Sequence, residues 1–198
     1  IRFRDEREDP PLAEDFKFNG GITDFVRHLN ATKEPIFKRV VAFDEASDGS
    51  EVDIAMQWNT GYHEGLHTYA NGISTTEGGM HAEGFKRALT NAVNRYAKDR
   101  NLLKGKDASL QGDDVREGLT AIVSVRLAEP QFEGQTKEVL GTNAAIKIVG
   151  NVVSDGLKAF FNTTKRIDKA NGKLVLEKIV NASRTRIATR THEELQRR

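Results

Sequence analysis

The amino-acid sequence predicts an α+β domain built on a mixed β-sheet. Three observations carry that expectation. Val52, Ile54, Met56 and Trp58 alternate with Asp53, Ala55 and Gln57, the period of a strand with one buried face. Phe85, Ala88, Leu89, Ala92, Val93, Tyr96 and Ala97 recur at steps that fit one face of a helix. In TAIVSVRL (120–127) the apolar residues Ile122, Val123 and Val125 are nearly continuous, as in a central strand covered on both faces.

The remaining elements follow in order. Ile1 and Phe3 alternate with charged residues, EDPPLAED reads as a loop, and Phe16 and Phe18 alternate again before Gly20 and Gly21, so two short strands open the chain. Ile22, Phe25, Val26 and Leu29 have helical spacing that ends near Asn30. Val40, Val41 and Phe43 form a short strand, and ASDGS after it is turn chemistry. Beyond the 52–58 strand, Asn59-Thr60-Gly61 reads as a hairpin turn, which predicts that the next strand pairs back on it. After the helix of residues 85–97, the linker NLLKGKDASLQ leads into GDDVREGL, where Asp114 and Glu117 have the spacing of a capping box. EPQFEGQTKEVLG reads as a long polar loop, and Ile148, Val149, Val152, Val153, Leu157, Phe160 and Phe161 as a second core helix.

A last helix of about 26 residues, roughly 39 Å long, is expected to begin after Asn171-Gly172. Leu174, Leu176, Ile179, Val180 and Ile187 are expected to give its first half a buried stripe, whereas RTRIATRTHEELQRR is almost entirely polar. A helix that outruns its own apolar face reaches toward another body.

The stretch HEGLH (63–67) fits the H-E-x-x-H pattern of zinc hydrolases. That chemistry needs a helix, where residues four apart lie about 6 Å from one another. On a strand they are roughly 13 Å apart, too far to share an ion bound at about 2.1 Å from each nitrogen. Gly65 inside the motif, Thr68 and Tyr69 after it, and the turn pair Asn71-Gly72 favour the strand, so no metal site is expected. The three acids Asp113, Asp114 and Glu117 read as first-turn partners of a helix dipole rather than as metal ligands.

Composition narrows the functional classes. The 198 residues are 37% hydrophobic, enough for a real core, and include no cysteine, which excludes disulfides, thiolate metal sites and a cysteine nucleophile. No apolar run approaches the roughly 20 residues of a membrane-spanning helix, and IRFRDERED is too charged for a secretory signal. No membrane partner is therefore expected. Net charge is +1, but residues 142–198 hold 12 Lys and Arg against 5 Asp and Glu, a basic arm on a mildly acidic body. Gly78-Gly79 and Gly112 precede helices and could turn backbone N–H groups toward an anion, yet neither nucleotide fingerprint, G-x-x-x-x-G-K-[ST] or G-x-G-x-x-G, occurs.

Taken together, EGGMHAEGF (77–85), GDDVREGL (112–119) and EPQFEGQTK (129–137), with FNGGITDFVRHLNATKEPI (18–36) and DIAMQWNTGY (53–62), resemble bacterial DNA gyrase B and its topoisomerase IV counterpart over nearly the whole chain. The resemblance implies a fragment of the ATP-hydrolysing subunit of a type IIA DNA topoisomerase. Residues 1–33 would be the end of a Bergerat-type ATPase domain whose catalytic glutamate, Mg²⁺ ligand and lid lie upstream. Residues 34–165 would be a transducer similar to domain 2 of ribosomal protein S5, with a mixed four-stranded sheet and a left-handed βαβ crossover. Residues 166–198 would be the connector helix toward a toprim domain.

The family's functional residues map onto few positions. Gln135 and Lys137 of the QTK loop match those that reach the ATP γ-phosphate. Lys86, followed by Arg87, matches a basic position lining the hole that receives DNA; many relatives have arginine there, so bidentate phosphate recognition would be lost. Arg184, Arg186 and Arg190 are further DNA-facing residues. No catalytic residue is expected in the fragment, nor ATP or Mg²⁺ bound tightly to it alone. The implied partners are DNA, gyrase A or its topoisomerase IV counterpart, and a second copy of the intact protein joined through ATP; the implied location is the bacterial cytoplasm and nucleoid. Two readings from other classes stand beside this one: a free-standing S5-like nucleic-acid-binding module with salt-dependent affinity, and a zinc hydrolase.

Overall fold

The computed structural model describes residues 1–7, 9–47, 49–103 and 109–196. Residue 8 in the loop EDPPLAED, residue 48 in the turn ASDGS, residues 104–108 in the linker and residues 197–198 at the chain end lie outside them.

The most apolar strand takes the central place. Strand β7 (Leu119–Leu127) has its first five residues buried and lies in a five-stranded mixed sheet of order β3-β4-β7-β5-β6. Its neighbours are β4 (Ser50–Trp58), antiparallel, and β5 (Gly65–Ala70), parallel. β3 (Val41–Ser47) flanks β4, and the two-residue β6 (Ile73–Ser74) flanks β5. The sheet thus has one strand more than the four expected. The extra one is the return arm of a hairpin in which Asn71 (φ +49°) and Gly72 (φ +78°) turn the chain between Ala70 and Ile73.

HEGLH does enter a strand, as its glycine and β-branched neighbours predict, but not the expected pairing. β4 has β3 on one side and β7 on the other, so β5 cannot reach it and joins the far edge of β7. The turn at 59–61 serves another purpose: Thr60 N–H donates to the Glu34 carbonyl and Gly61 N–H to the Asn59 side chain, which leads the chain away from β4.

Both faces of this sheet are covered. On one, α2 (Met80–Asp99) and α4 (Ala144–Phe161) bury Phe85, Leu89, Val93, Val149, Val153 and Leu157 against Ile54, Met56 and Val123. Gly84 lets the two helices approach, since a Cβ there would strike the Ile146 backbone. On the other face, α1 (Gly21–Leu29) places Val26 on Ala55, Ile122 and Val40. This explains why the expectation of a half-buried β4 fails in its second half. Ala55 and Gln57 are buried too, and Gln57 is satisfied by Asn30 Nδ2 at 2.9 Å and the Phe37 carbonyl at 3.0 Å.

Three boundaries differ from expectation. The opening hairpin pairs β1 (Arg2–Asp5) with β2 (Leu12–Asp15), so the second strand falls inside the expected loop and ends before Phe16. Helix α3 (Gly112–Arg116) is capped by Gln111, with Asp114 as the reciprocal acid; Glu117 lies past the helix, 3.9 Å from Lys178. The last helix, α5 (Arg166–Gln196), has 31 residues and runs through Asn171-Gly172. Gly172 is buried against Phe161, where a Cβ would sit 3.3 Å from the ring, so it serves close packing rather than a turn. Among the described residues, no helix is long and apolar enough to cross a membrane.

Candidate functional site

The segment 129–141 forms a small hairpin rather than a loop. β8 (Phe132–Glu133) pairs antiparallel with β9 (Val139–Leu140). Phe132 and Leu140 face each other across the base; Leu140 is fully buried and Phe132 packs at the core edge. The tip has no such anchor. Gly134, Gln135, Thr136 and Lys137 are exposed, and Lys137 holds a left-handed backbone (φ +58°). Its ammonium lies 5.8 Å from the centre of the Phe132 ring, a weak cation–π contact, with no carboxylate within ion-pair distance among the described residues.

The hairpin is held from one side by the turn of residues 77–79 at the start of α2. Glu77 N–H donates to the Glu138 carbonyl at 3.1 Å, and Leu140 N–H donates to the Gly78 carbonyl at 3.2 Å. Gly79 bridges Leu140 with φ +127°, and a Cβ there would run into the Leu140 backbone. The same turn walls a recess of about 480 Å³, also lined by Glu64, Thr68, Thr75 and Lys86. Lys86 is half-buried in it, while Glu64 is engaged by Arg116 Nε at 2.9 Å.

The arginines separate. Arg87 is exposed, 3.7 Å from Glu83. Arg184 and Arg190 are exposed on α5. Arg186 turns inward instead: its Nε and Nη2 donate to Asp114 at 2.7 and 2.8 Å, and Asp114 is only 3% exposed. A guanidinium fixed this way braces α5 on α3. Gln135 and Lys137 therefore share one tip, Lys86 lines the recess walled by the turn that holds it, and Arg186 is taken up by α3.

A family profile described as DNA gyrase B matches residues 21–195. The chain belongs to the DNA gyrase B family. It is 50% identical over 183 residues to the DNA gyrase B of Mycolicibacterium smegmatis, covering 92% of this chain and 26% of that protein. The DNA gyrase B of Clostridium acetobutylicum is 44% identical over 199 residues, all of this chain and 30% of the relative. The chain thus spans between a quarter and a third of these gyrase B relatives. Among solved structures, the 43K ATPase domain of Thermus thermophilus gyrase B, in complex with an aminocoumarin, superposes with a TM-score of 0.81 at 36% identity, over 93% of this chain and 48% of that one. The topoisomerase IV ATP-binding domain of Francisella tularensis gives 0.70 at 25% identity, over 89% and 46%.

In this member of the gyrase B family one buried group escaped the sequence reading. His81 has no exposed surface, its Nε2 lies 3.0 Å from Thr75 Oγ1, and its Nδ1 has no partner. The available signal was its position four residues before Phe85, on the apolar stripe of α2. Burial depresses its pKa from 6.5 to about 4, because a charged imidazolium there would be stripped of water. The sign follows: between pH 6.5 and 4 the unfolded chain binds a proton that the folded chain refuses. Stability is complete above pH 6.5 and falls by up to about 3 kcal/mol as pH drops to 4. Urea midpoints at pH 7 and pH 4 should therefore differ more for wild type than for His81→Gln; equal differences would deny His81 that role.

Proposed function

We propose that this chain is the transducer region of the ATP-hydrolysing subunit of a bacterial type II DNA topoisomerase, coupling ATP binding and hydrolysis to DNA strand passage and supercoiling. Residues 1–33 would end the ATPase domain, 34–165 form the transducer, similar to S5 domain 2 with a left-handed crossover from β5 to β7, and 166–198 lead toward a toprim domain. Membership of the gyrase B family and the likeness to an ATPase domain that is about twice as long support this reading.

The observation that carries the mechanism is the hairpin tip. A buried base with an exposed lysine at the end presents one compact positive charge on a defined stalk. ATP would supply the terminal phosphate and, with Mg²⁺, the reactive bond. Lys137 and Gln135 fit one edge of such a group, as a cation and a neutral donor. A contact made with the triphosphate and lost with the diphosphate supplies the differential affinity that a ligand-driven switch requires. The transducer would then move as a body, with Lys86 and Arg87 on α2, and Arg184 and Arg190 on α5, toward DNA phosphates. Arg186 serves the fold in this scheme. DNA, gyrase A or its topoisomerase IV counterpart, and a second ATP-linked copy are the proposed partners, in the bacterial cytoplasm and nucleoid.

The test restores the upstream domain and compares wild type with Lys137→Ala. Loss of one charge-assisted contact, about 2 kcal/mol, should weaken triphosphate-dependent activity roughly 30-fold. Unchanged ATPase and supercoiling rates would remove the sensor role.

A further inference from the structure

The His81 side chain belongs to a buried polar knot that the proposed chemistry does not use. Thr68 Oγ1 lies 2.9 Å from the Thr75 carbonyl and 2.6 Å from Thr75 Oγ1, which in turn lies 3.0 Å from His81 Nε2. Thr68, Thr75 and His81 are all buried. Only one arrangement of protons leaves no N–H or O–H of the knot unpaired: His81 Nε2–H donates to Thr75 Oγ1, Thr75 O–H to Thr68 Oγ1, and Thr68 O–H to the Thr75 carbonyl. Nδ1 is then a bare acceptor with no donor facing it, a smaller penalty than an unpaired buried N–H.

Thr75 is the hub through which three elements meet. Thr68 belongs to β5, and His81 to the first turn of α2. The Thr75 carbonyl also accepts the Gly78 N–H at 2.9 Å, so the turn that grips the β8–β9 hairpin is itself tied to this residue. From the other side, that turn exchanges two backbone hydrogen bonds with Glu138 and Leu140, which follow closely on Lys137.

We propose that His81 is a positioning residue for the phosphate-sensing hairpin, acting through Thr75 and the 75–78 turn to set where Lys137 stands. The inference rests on Lys137 meeting a terminal phosphate. The rigid sheet strand β5 and the helix α2 provide the fixed frame; the hydroxyl chain transmits that frame to a tip with no packing of its own. Loosening the knot leaves the lysine present but scatters its position, so binding of a phosphate must then order the stalk as well.

Two measurements test this. On the 198-residue chain, amide exchange is followed for Leu140 and Glu77, with Val123 in the central strand as the reference for global opening. Thr75→Val and His81→Leu should accelerate the first two about tenfold beyond any change at Val123. Thr75→Ser and His81→Gln, which keep a hydroxyl and a side-chain N–H, should restore most of the protection. Equal acceleration at all three sites, or none at Leu140 and Glu77, would overturn the proposal. Should His81→Leu not fold, the nearly isosteric Thr75→Val decides alone.

In the intact protein with its upstream domain restored, Thr75→Val should raise the KM for ATP more than it lowers kcat. Combined with Lys137→Ala it should add nothing to the effect of that single change. Additive losses would sever the knot from the lysine and defeat the inference while the sensor role stands. If Lys137→Ala alone has no effect, the sensor role fails, and the inference as stated fails with it; the amide-exchange result then reports the knot's hold on the hairpin separately.

Discussion

Asp114→Ala is expected to cost about 4 kcal/mol of folding stability, a large effect for one carboxylate far from any reacting group. Asp114 is 3% exposed and has two functions at once. Its Oδ2 accepts the Gln111 N–H at 2.8 Å, closing the capping box of α3, and both oxygens accept from Arg186. Removing it breaks the Asp114 half of the capping box and leaves a guanidinium, with only 29% of its side chain exposed, without its ion-pair partner. Arg186→Ala should cost less, about 2 kcal/mol, because both halves of the capping box survive and the carboxylate keeps the Gln111 N–H. Urea denaturation measures both. A loss below about 1 kcal/mol for Asp114→Ala would show that the pair does not hold α5.

That ion pair also marks where α5 parts from the body. Val175, Leu176, Ile179, Val180, Ala182 and Ser183 are buried, whereas every described side chain beyond Arg186 is exposed. At the other end Arg39 pairs with Asp168 in the first turn. The helix is thus fixed by an apolar stripe between two ion pairs, and only its last segment projects. The sequence shows the polar tail and the middle of the stripe, Leu176, Ile179 and Val180, but Leu174 and Ile187, expected in it, are 43% and 40% exposed, and Val175 and Ala182 are buried instead. It does not show that Arg186 faces inward, because Asp114 lies 72 positions away and nothing local distinguishes this arginine from Arg184 or Arg190.

The same division runs through the fold. β4, α2 and α4 are legible because each declares its own period over many residues, and β7 because its apolar run is nearly continuous. β5 was legible as a strand but not in its partner, because pairing depends on which other strand competes for the edge of β4. The start of α5 was hidden by Asn171-Gly172, whose turn-like chemistry is overridden by the Phe161 contact. At the site, Gln135 and Lys137 came from a motif, whereas the hairpin beneath them did not. Two-residue strands carry too little alternation to read, and their register is set by the turn of residues 77–79.

Gly79→Ala should show how much that turn controls. Gly79 has φ +127° and ψ −163°, a region that side-chain-bearing residues enter at about 1–3 kcal/mol. A Cβ there would also overlap the N, O and Cα of Leu140, backbone atoms that cannot rotate aside. The chain has one escape, which is to release the hairpin. Release exposes Leu140, about 2 kcal/mol, and breaks two backbone hydrogen bonds of about 1 kcal/mol each, so the total approaches 4 kcal/mol. Because undocking is cheaper than carrying the full overlap, the loss should be local: fast exchange at Leu140 with the central strand still protected. In the intact protein the variant should behave like Lys137→Ala although the lysine is untouched. Gly78→Ala provides the contrast. Its φ of +82° brings a backbone penalty of about 1–2 kcal/mol, but its Cβ would meet only the Ala82 methyl, at 3.4 Å. If Gly79→Ala proves no more damaging than Gly78→Ala, the 77–79 turn does not hold the hairpin, and Lys137 owes its position to the Phe132 and Leu140 anchors alone.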